Sequence, residues 1–471
     1  MAKAVVVGSG PNGLAAAVTL AAEGLDVTVL EASDVPGGGT RTIEATLPGL
    51  LHDECSGFHP LALDTVFARR FDLTAHGVEW AWPEVQYAHP LDAGRGGAVL
   101  RSVAETADGL GPDGASYARI FGPLTRHFDA IAEEFLQPMT HVPRHPLALG
   151  RFGLQAVAPA TWVARCFRTE EARALWGGVA AHAFRPLGSP MSSAIGTALG
   201  AAAHRFGWPV AVGGSASIAA AMIELLHIYG GKVETGVTVT DAAELADYDI
   251  RMLDTSPGAA ADLLRGVQRP RVARAYRRFR HGPGVFQLAF AVEGGIPWSY
   301  EPASRAGTVH VAGSLAETVE AERAIERGRM PERPFVLLGQ QYLADPSRSQ
   351  GQIHPIDCYA HVPRGYEGDV SESIITQIER FAPGFRERIV GRSVRSPRQI
   401  AADNRNFGGG DILTGANTPR QLVFRPRATL HPYDAGAPGT YLCSAATPPG
   451  AGAHGMAGYW AARRAMTGLR H

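Results

Sequence analysis

The sequence predicts an α/β fold: a Rossmann-like dinucleotide-binding domain assembled from discontinuous segments, with an α+β substrate domain interleaved between them. Three observations predict it. Residues 3–33, KAVVVGSGPNGLAAAVTLAAEGLDVTVLEAS, read strand, glycine turn, helix, strand, acid. Residues 205–265 carry a second glycine turn, an apolar helix and two strand candidates. The closing stretch GTYLCSAATPPGAGAHGMAGYWAARRAM returns to strand, glycine loop and helix.

The first segment, 1–75, is the most specific. Ala4 to Val7 is a short apolar run of the kind a strand shows when both its faces are buried. Gly8, Gly10 and Gly13 then spell G-x-G-x-x-G. The first permits the tight turn, the second lets backbone approach a pyrophosphate, and the third lets the helix pack on the strand. Leu14 to Ala22 continues as a small-residue helix with Gly24 as C-cap. Its N-terminus offers unpaired N–H groups to phosphates. Asp26 to Leu30 makes the next strand, and Glu31 follows where an acid accepts hydrogen bonds from a ribose. A carboxylate there repels a 2′-phosphate, which disfavours NADP.

Segment 205–265 contains PVAVGGSASIAAAMIELLHIYGG, then KVETGVTV, which alternates as a strand does, then YDIRMLDTS, a buried strand running into a helix start at Ser256-Pro257. Segment 405–471 completes the nucleotide domain. Between these lie 76–204, helix-rich, and 266–404, with strand candidates GVFQLAFAV, PFVLLGQQY and IDCYAHV. Pockets favour such domain interfaces, so the inserts are expected to build the substrate side.

A chain of 471 residues supports two or three domains with substantial cores. A formal net charge of -1 gives no electrostatic case for nucleic acid. The basic stretch VARAYRRFRHG at 272–282 reads as a solvated helix face. Cys55, Cys166, Cys358 and Cys443 are scattered, with no C-x-x-C pair for zinc or redox work, so free thiols and no metal site are expected. No charged region with a cleavage site precedes the first strand, and no run approaches the ~20 apolar residues of a membrane span. The expected compartment is the cytoplasm. Residues 146–168 mix apolar residues with Arg and admit two readings, an interfacial helix in peripheral contact with a membrane or a helix covering the pocket. Nothing in the sequence sets an oligomeric state.

The C-terminal segment decides which dinucleotide is expected. Gly450, Gly452 and Gly455 spell a second G-x-G-x-x-G, but only one helix follows before His471, with no second strand and acid. It is therefore a helix aimed at a ligand held by the first site. An extended FAD, whose flavin lies far from its adenosine, needs such a helix, and backbone N–H groups there stabilise negative charge on the reduced ring. VPGGGTR at 35–41 adds a glycine loop past Glu31, with Arg41 as a counter-charge.

VVVGSGPNGLAAA…EASDVPGGGTRT, LPGLLHDECSGFHPLA, LADPSRSQGQ…YAHVP, NFGGGDI and YLCSAATPPGAGAHGMAGYWAA together resemble the phytoene desaturase-type flavoproteins. That group spans carotenoid desaturases and isomerases and retinol saturase, within the amine-oxidase-like FAD fold. The resemblance implies non-covalent FAD, with Gly8, Gly10, Pro11, Asn12, Gly13, Glu31, Ala32, Gly38, Gly39 and Arg41 around its ADP half. It also implies the Val239 backbone at the adenine, and His454, Gly455 and Met456 at the flavin. Two positions depart from the pattern: Gly39 stands where many relatives carry Arg, and Ser444 where they often carry Gly.

In such a site the cofactor accepts hydride and the protein supplies position, electrostatics and water exclusion. No second nucleotide domain is visible for NAD(P)H, so electrons are expected to leave to oxygen, a quinone or another acceptor, or to return to the substrate. Candidate acid, base or pocket residues are His59, Arg425, His431, Tyr433 and His454. The leading expectation is an FAD-dependent dehydrogenase or desaturase acting on a small, fairly apolar organic substrate. Redox-neutral isomerisation, amine oxidation and a non-enzymatic flavoprotein scaffold are the alternatives.

Overall fold

The computed structural model describes residues 2–469. Five short strands form one parallel sheet: β1 (Lys3–Val7), β2 (Asp26–Leu30), β3 (Lys232–Glu234), β4 (Ile250–Leu253) and β5 (Thr440–Leu442), in spatial order β5-β4-β1-β2-β3. Three separated stretches of sequence thus build one sheet. The central strand β1 buries Ala4, Val5 and Val6 completely, because helices cover both faces of a parallel sheet.

Helix α1 (Pro11–Ala21) starts with Pro at its first position, where the missing N–H costs nothing. Leu14, Val18 and Leu20 on it are fully buried, each contributing about 1.5–3 kcal/mol of apolar burial. The predicted C-cap glycine, Gly24, has φ +86° in the turn just past the helix end. The last helix, α3 (Met456–Leu469), crosses α1 with backbones nearly touching. A Cβ at Gly458 would stand 1.8 Å from the Asn12 carbonyl oxygen and 2.9 Å from the Ala16 nitrogen. Only glycine allows this approach, and it brings the C-terminal loop beside the N-terminal turn.

A seven-stranded mixed sheet forms the second body. Its order is Ile389–Arg395, Gly284–Glu293, Ile353–Val362, Val336–Gly339, Ala306–Val311, Val85–Pro90, Gly96–Val99. All neighbours run antiparallel except Ala306–Val311 against Val85–Pro90. The strand candidates GVFQLAFAV (284–292), PFVLLGQQY (334–342) and IDCYAHV (356–362) each fall on one of its strands, Gly284–Glu293, Val336–Gly339 and Ile353–Val362. The helix-rich reading of 76–204 holds for α2 (Pro146–Ala156) and its neighbours, yet this stretch also supplies two strands to the mixed sheet and the short strand Trp80–Ala81. Val85–Pro90 escaped notice because all six of its residues are buried, so it shows no alternation. KVETGVTV forms ladder only at Lys232–Glu234: Gly236, at φ +71°, turns the chain out of the sheet.

Candidate functional site

The carboxyl ends of β1, β2 and β4 converge on the turn that precedes α1. Gly8 takes φ +100°, a left-handed geometry glycine adopts without cost. A Cβ on Gly13 would lie 2.2 Å from the Gly8 oxygen, and one on Gly38 would lie 3.0 Å from the Gly10 Cα, so the two predicted glycine loops press backbone on backbone. Asp254, at the end of β4, reaches across to this turn. Its Oδ2 accepts a hydrogen bond from the Gly13 N–H at 3.1 Å. The carboxyl is nearly buried, and burial lifts it to about 7, with the Glu31 charge adding and the Gly13 and Gly10 N–H groups opposing.

Glu31 is not idle at the end of β2. Its Oε2 accepts from the Ser9 N–H (2.8 Å) and hydroxyl (2.6 Å), and its Oε1 from the Ser33 N–H (2.8 Å). The acid therefore ties the glycine turn to the loop after β2, while still facing the cavity. Arg41 is not a free counter-charge. Its Nε donates to Glu54 at 2.7 Å, and its Nη1 to the Ser33 hydroxyl. Arg395 holds the same Glu54 from the mixed sheet.

A cavity of about 920 Å³ runs from this turn to the mixed sheet. Gly8, Gly10, Pro11, Asn12, Glu31, Ala32, Gly38, Gly39, Arg41 and Val239 line it, as do His59 and His454. Gly13, Gly455 and Met456 lie just behind the lining. Gly455 packs on Ala15 and Phe67, and the Met456 N–H donates to His454 Nδ1 at 3.1 Å. Arg425 and Tyr433 also lie outside it. Arg425 is spent on the Gln421 and Ala445 carbonyls and on Asn417 Oδ1, and burial lowers it to about 10. Tyr433 donates to the Pro448 oxygen, and burial drives its phenol well up. His431 is exposed. Both buried side chains hold the C-terminal loops in shape.

Of the charged lining residues, Glu31, Arg41 and Asp254 sit on the glycine loops and strand ends, Asp262 on the helix Pro257–Leu263, and Asp403 and Arg405 at and just past the end of the helix Pro397–Asp403, where the Asp403 carboxylate accepts from Arg395 of the mixed sheet. Toward the mixed sheet the lining is Phe58, Leu199, Trp208, Leu337, Ile412 and Leu413, with Thr308, Tyr359 and His182. Asn12 Oδ1, Thr255 Oγ1, Thr308 Oγ1 and Thr414 Oγ1 are buried with no hydrogen-bond partner, and all four residues line this cavity. The glycine cradle and the anion-favouring helix start fit an extended dinucleotide such as FAD.

The histidines are fixed by their partners. Ser215 donates its hydroxyl to the Ser56 carbonyl at 2.5 Å, so its oxygen has only lone pairs for His59 Nε2 at 2.9 Å. His59 therefore carries its proton on Nε2 and keeps Nδ1 as an acceptor. His454 is the mirror case: Nδ1 accepts the Met456 N–H, so the proton sits on Nε2. Burial lowers both to about 4 and His182 to about 3, which leaves all three neutral.

Sequence reasoning missed His182, whose Nε2 meets His310 Nε2 at 2.8 Å, because an isolated histidine past a helix gives no pattern. It also missed the clamp beneath His59. Arg348, fully buried, pairs with Asp53 (2.7 Å) and Asp345 (3.0 Å) and donates to the Ala211 carbonyl. Asp53 in turn accepts the Ser215 N–H at 2.8 Å. DPSR at 345–348 thereby fastens the DECSGFH loop and the start of the helix at Ala216. Asp254 had a readable signal, since it ends a parallel strand where such sheets bind ligands.

Residues 6–64 match the family described as NAD(P)-binding Rossmann-like domain. Pyridine nucleotide-disulfide oxidoreductase domain-containing protein 2 of Rattus norvegicus is 28% identical over 203 residues, 40% of this chain and 33% of that protein. Hydroxyneurosporene desaturase of Cereibacter sphaeroides is 29% identical over 256 residues, 50% of each. The chain thus spans a third to a half of the length of these curated relatives. Among solved structures, an oxidoreductase from Methanosarcina mazei superposes with TM-score 0.64 at 13% identity, covering 100% of both chains. A redesigned putrescine oxidase superposes with TM-score 0.62 at 15% identity, covering 100% of this chain and 99% of the other. The fold is the one these solved structures share, with a Rossmann-like nucleotide domain and a separate mixed sheet.

Proposed function

We propose that this protein is an FAD-dependent oxidoreductase that removes hydride from a C–H bond of a neutral, fairly apolar organic substrate, in the manner of the phytoene desaturase-type enzymes. The observation that carries the reading is the uncharged face that the mixed sheet gives the cavity. The mixed-sheet residues that line the cavity, Thr308, Leu337 and Tyr359, carry no charge, and the lining histidines are held neutral. A cationic substrate would meet no carboxylate among them and would pay an uncompensated desolvation cost. The likeness to a hydroxyneurosporene desaturase points the same way.

FAD bound in the cradle would supply the two-electron acceptor. The chain's residues do the rest. Gly8, Gly10 and Gly38 let backbone approach the phosphates, and α1 presents its first N–H groups. Phe58, Leu199, Trp208 and Leu337 exclude water from the substrate side. His59 Nδ1 offers an acceptor and His454 Nε2–H a donor, so the cavity can orient a polar tip of either kind without carrying charge. With FAD bound, the electrons taken from the substrate would pass on to oxygen, a quinone or another acceptor.

The proposal extends to a lipid surface. From 135 to 169 the chain holds no Asp or Glu, while Arg144, Arg151, Arg165 and Arg168 are exposed. Leu147 and Leu154, 90% and 81% exposed, lie seven residues apart on the outer stripe of α2, with Arg151 between them. Val142, Val157 and Trp162 continue the exposed apolar patch. An acid-free basic, apolar stripe fits the plane of an anionic membrane. No helix among the described residues is long and apolar enough to cross one.

The test is a spectrum of the purified protein followed by a substrate screen. A yellow protein whose flavin bleaches anaerobically with neutral alkene-forming substrates supports the proposal. Bleaching by amines with release of peroxide would replace it with amine oxidation. Product formed only after prior flavin reduction, with no net electron turnover, would replace it with isomerisation.

A further inference from the structure

The pyrophosphate cradle contains an acid that its task does not call for. Helix α1 keeps its first N–H groups free of partners within the helix, and such groups are the donors a pyrophosphate needs. In this chain one of them, the Gly13 N–H, is already held by Asp254 Oδ2 at 3.1 Å. The contact is built in, not incidental. A Cβ at Gly10 would stand 2.5 Å from the same oxygen, and a Cβ at Gly13 2.9 Å from it. Asp254 is set by the sheet, its N–H donating to the Val7 carbonyl at 2.8 Å, and by Asn406, whose Nδ2 donates to its carbonyl at 3.0 Å. It is 7% exposed, and that exposure opens into the cavity.

This inference rests on the reading of the site as an FAD site. We propose that Asp254 couples dinucleotide affinity to a proton: with the cradle empty its carboxylate occupies the helix donors, and binding a pyrophosphate beside it requires the carboxyl to be protonated. The charges that face it are named by the elements around it. Glu31 lies at the end of β2 and adds repulsion. Cys443, after β5, is pushed well up by burial and the Asp254 charge and stays a neutral thiol. The glycine turn contributes only the N–H groups of Gly10 and Gly13, and the 404–407 loop contributes the uncharged Asn406 amide. A second anion entering this group raises the proton affinity of Asp254 further. With the free carboxyl at about 7, neutral solution is where the proton is lost.

The sign follows from linkage. A site that takes up one proton on binding loses affinity by up to tenfold for each pH unit above the free-state titration, and shows no dependence below it. FAD suits the test because its pyrophosphate is a diester with no proton to lose across this range. Apoprotein is titrated with FAD by fluorescence quenching from pH 6 to 9. The wild type is expected to bind with constant affinity below about pH 7 and progressively weaker affinity above it. Asp254→Asn keeps a carbonyl oxygen for the Gly13 N–H but no titrating proton, and is expected to bind with a flat profile. Calorimetry of the wild type at pH 8 in two buffers of different ionisation heat reads the proton without a variant, and about one proton taken up per FAD is expected. A flat wild-type profile, an unchanged slope in Asp254→Asn, or no proton uptake would each overturn the proposal while leaving the FAD reading intact. Failure to bind FAD at any pH would instead overturn that reading.

Discussion

Gly458→Ala tests the contact that brings the two ends of the chain to one ligand. The new methyl would sit 1.8 Å from the Asn12 carbonyl oxygen, 2.7 Å from its carbon and 2.9 Å from the Ala16 nitrogen. All three are backbone atoms of α1, so no rotamer change relieves the clash. Restoring ordinary van der Waals separation needs α1 and α3 to move apart by more than ~1 Å. Overpacking of this kind costs about 1–3 kcal/mol, and alanine's better helix propensity returns at most ~1 kcal/mol. The same displacement moves His454 and the 450–455 loop away from the cradle. Net destabilisation of about 1–2 kcal/mol is expected, together with FAD binding at least tenfold weaker, since tenfold corresponds to about 1.4 kcal/mol. Flavin content and a fluorescence titration measure the second, thermal unfolding of apoprotein the first. Gly153→Ala is the control: a helical glycine whose added Cβ meets nothing within 4 Å. It should leave FAD affinity unchanged and raise stability by up to ~1 kcal/mol. A Gly458→Ala protein that melts with the wild type and holds FAD as tightly would refute the idea that one cofactor is gripped from both chain ends.

Arg348→Met leaves the buried Asp53 and Asp345 without their cation and is expected to cost about 3–5 kcal/mol, read as a lowered urea midpoint. Ser215→Ala frees His59 to turn or change tautomer, so turnover should fall about tenfold with little change in KM, whereas a merely structural role would lower stability alone. Acid sensitivity follows from the buried histidines. His59, His89 and His454 are lowered to about 4 by burial, while an unfolded histidine titrates near 6.5. Their contribution is full above pH 6.5 and is lost as pH falls toward 4, so circular dichroism should show acid unfolding in that window. Leu147→Asp with Leu154→Asp should abolish sedimentation with anionic phosphatidylserine vesicles and leave flavin content unchanged, since both side chains are exposed.

The nucleotide half of this fold was legible because its signals are local. Gly8, Gly10, Gly13 and Glu31 lie within one strand–helix–strand unit, and each answers a separate steric or electrostatic demand. Gly450, Gly452 and Gly455 match the same spacing, yet the helix after them, α3, packs on α1 of the first unit. The substrate half was legible only in part: GVFQLAFAV, PFVLLGQQY and IDCYAHV each hold a strand of the mixed sheet, and the strands the sequence hid are those without a local signal. Val85–Pro90 is buried on both faces, so its register in the mixed sheet comes from long-range packing. Arg425 and Tyr433 looked chemical in FRPRATLHPY, yet both are consumed by backbone carbonyls. His182 and Arg348 gain their places only when distant segments meet. Resemblance marked DPSR and DECSGFH, and the structure supplies the reason: Arg348 and Asp53 are one ion pair.

The cavity's titration behaviour ties these observations together. Between pH 5 and 9 the lining histidines 59, 182 and 454 do not change charge, since burial keeps each of them neutral throughout. The substrate side therefore offers hydrogen bonds of fixed polarity and no titrating acid. Asp254 is the lining group that burial moves into this range, and it sits at the opposite end, on the glycine turn. Cofactor affinity and hydride removal should then separate cleanly: the first declines above pH 7, and the second, measured with FAD saturating, stays level. A rate at saturating FAD that rose or fell tenfold across pH 6 to 8 would require an ionising substrate, and the neutral-substrate proposal would fail with it.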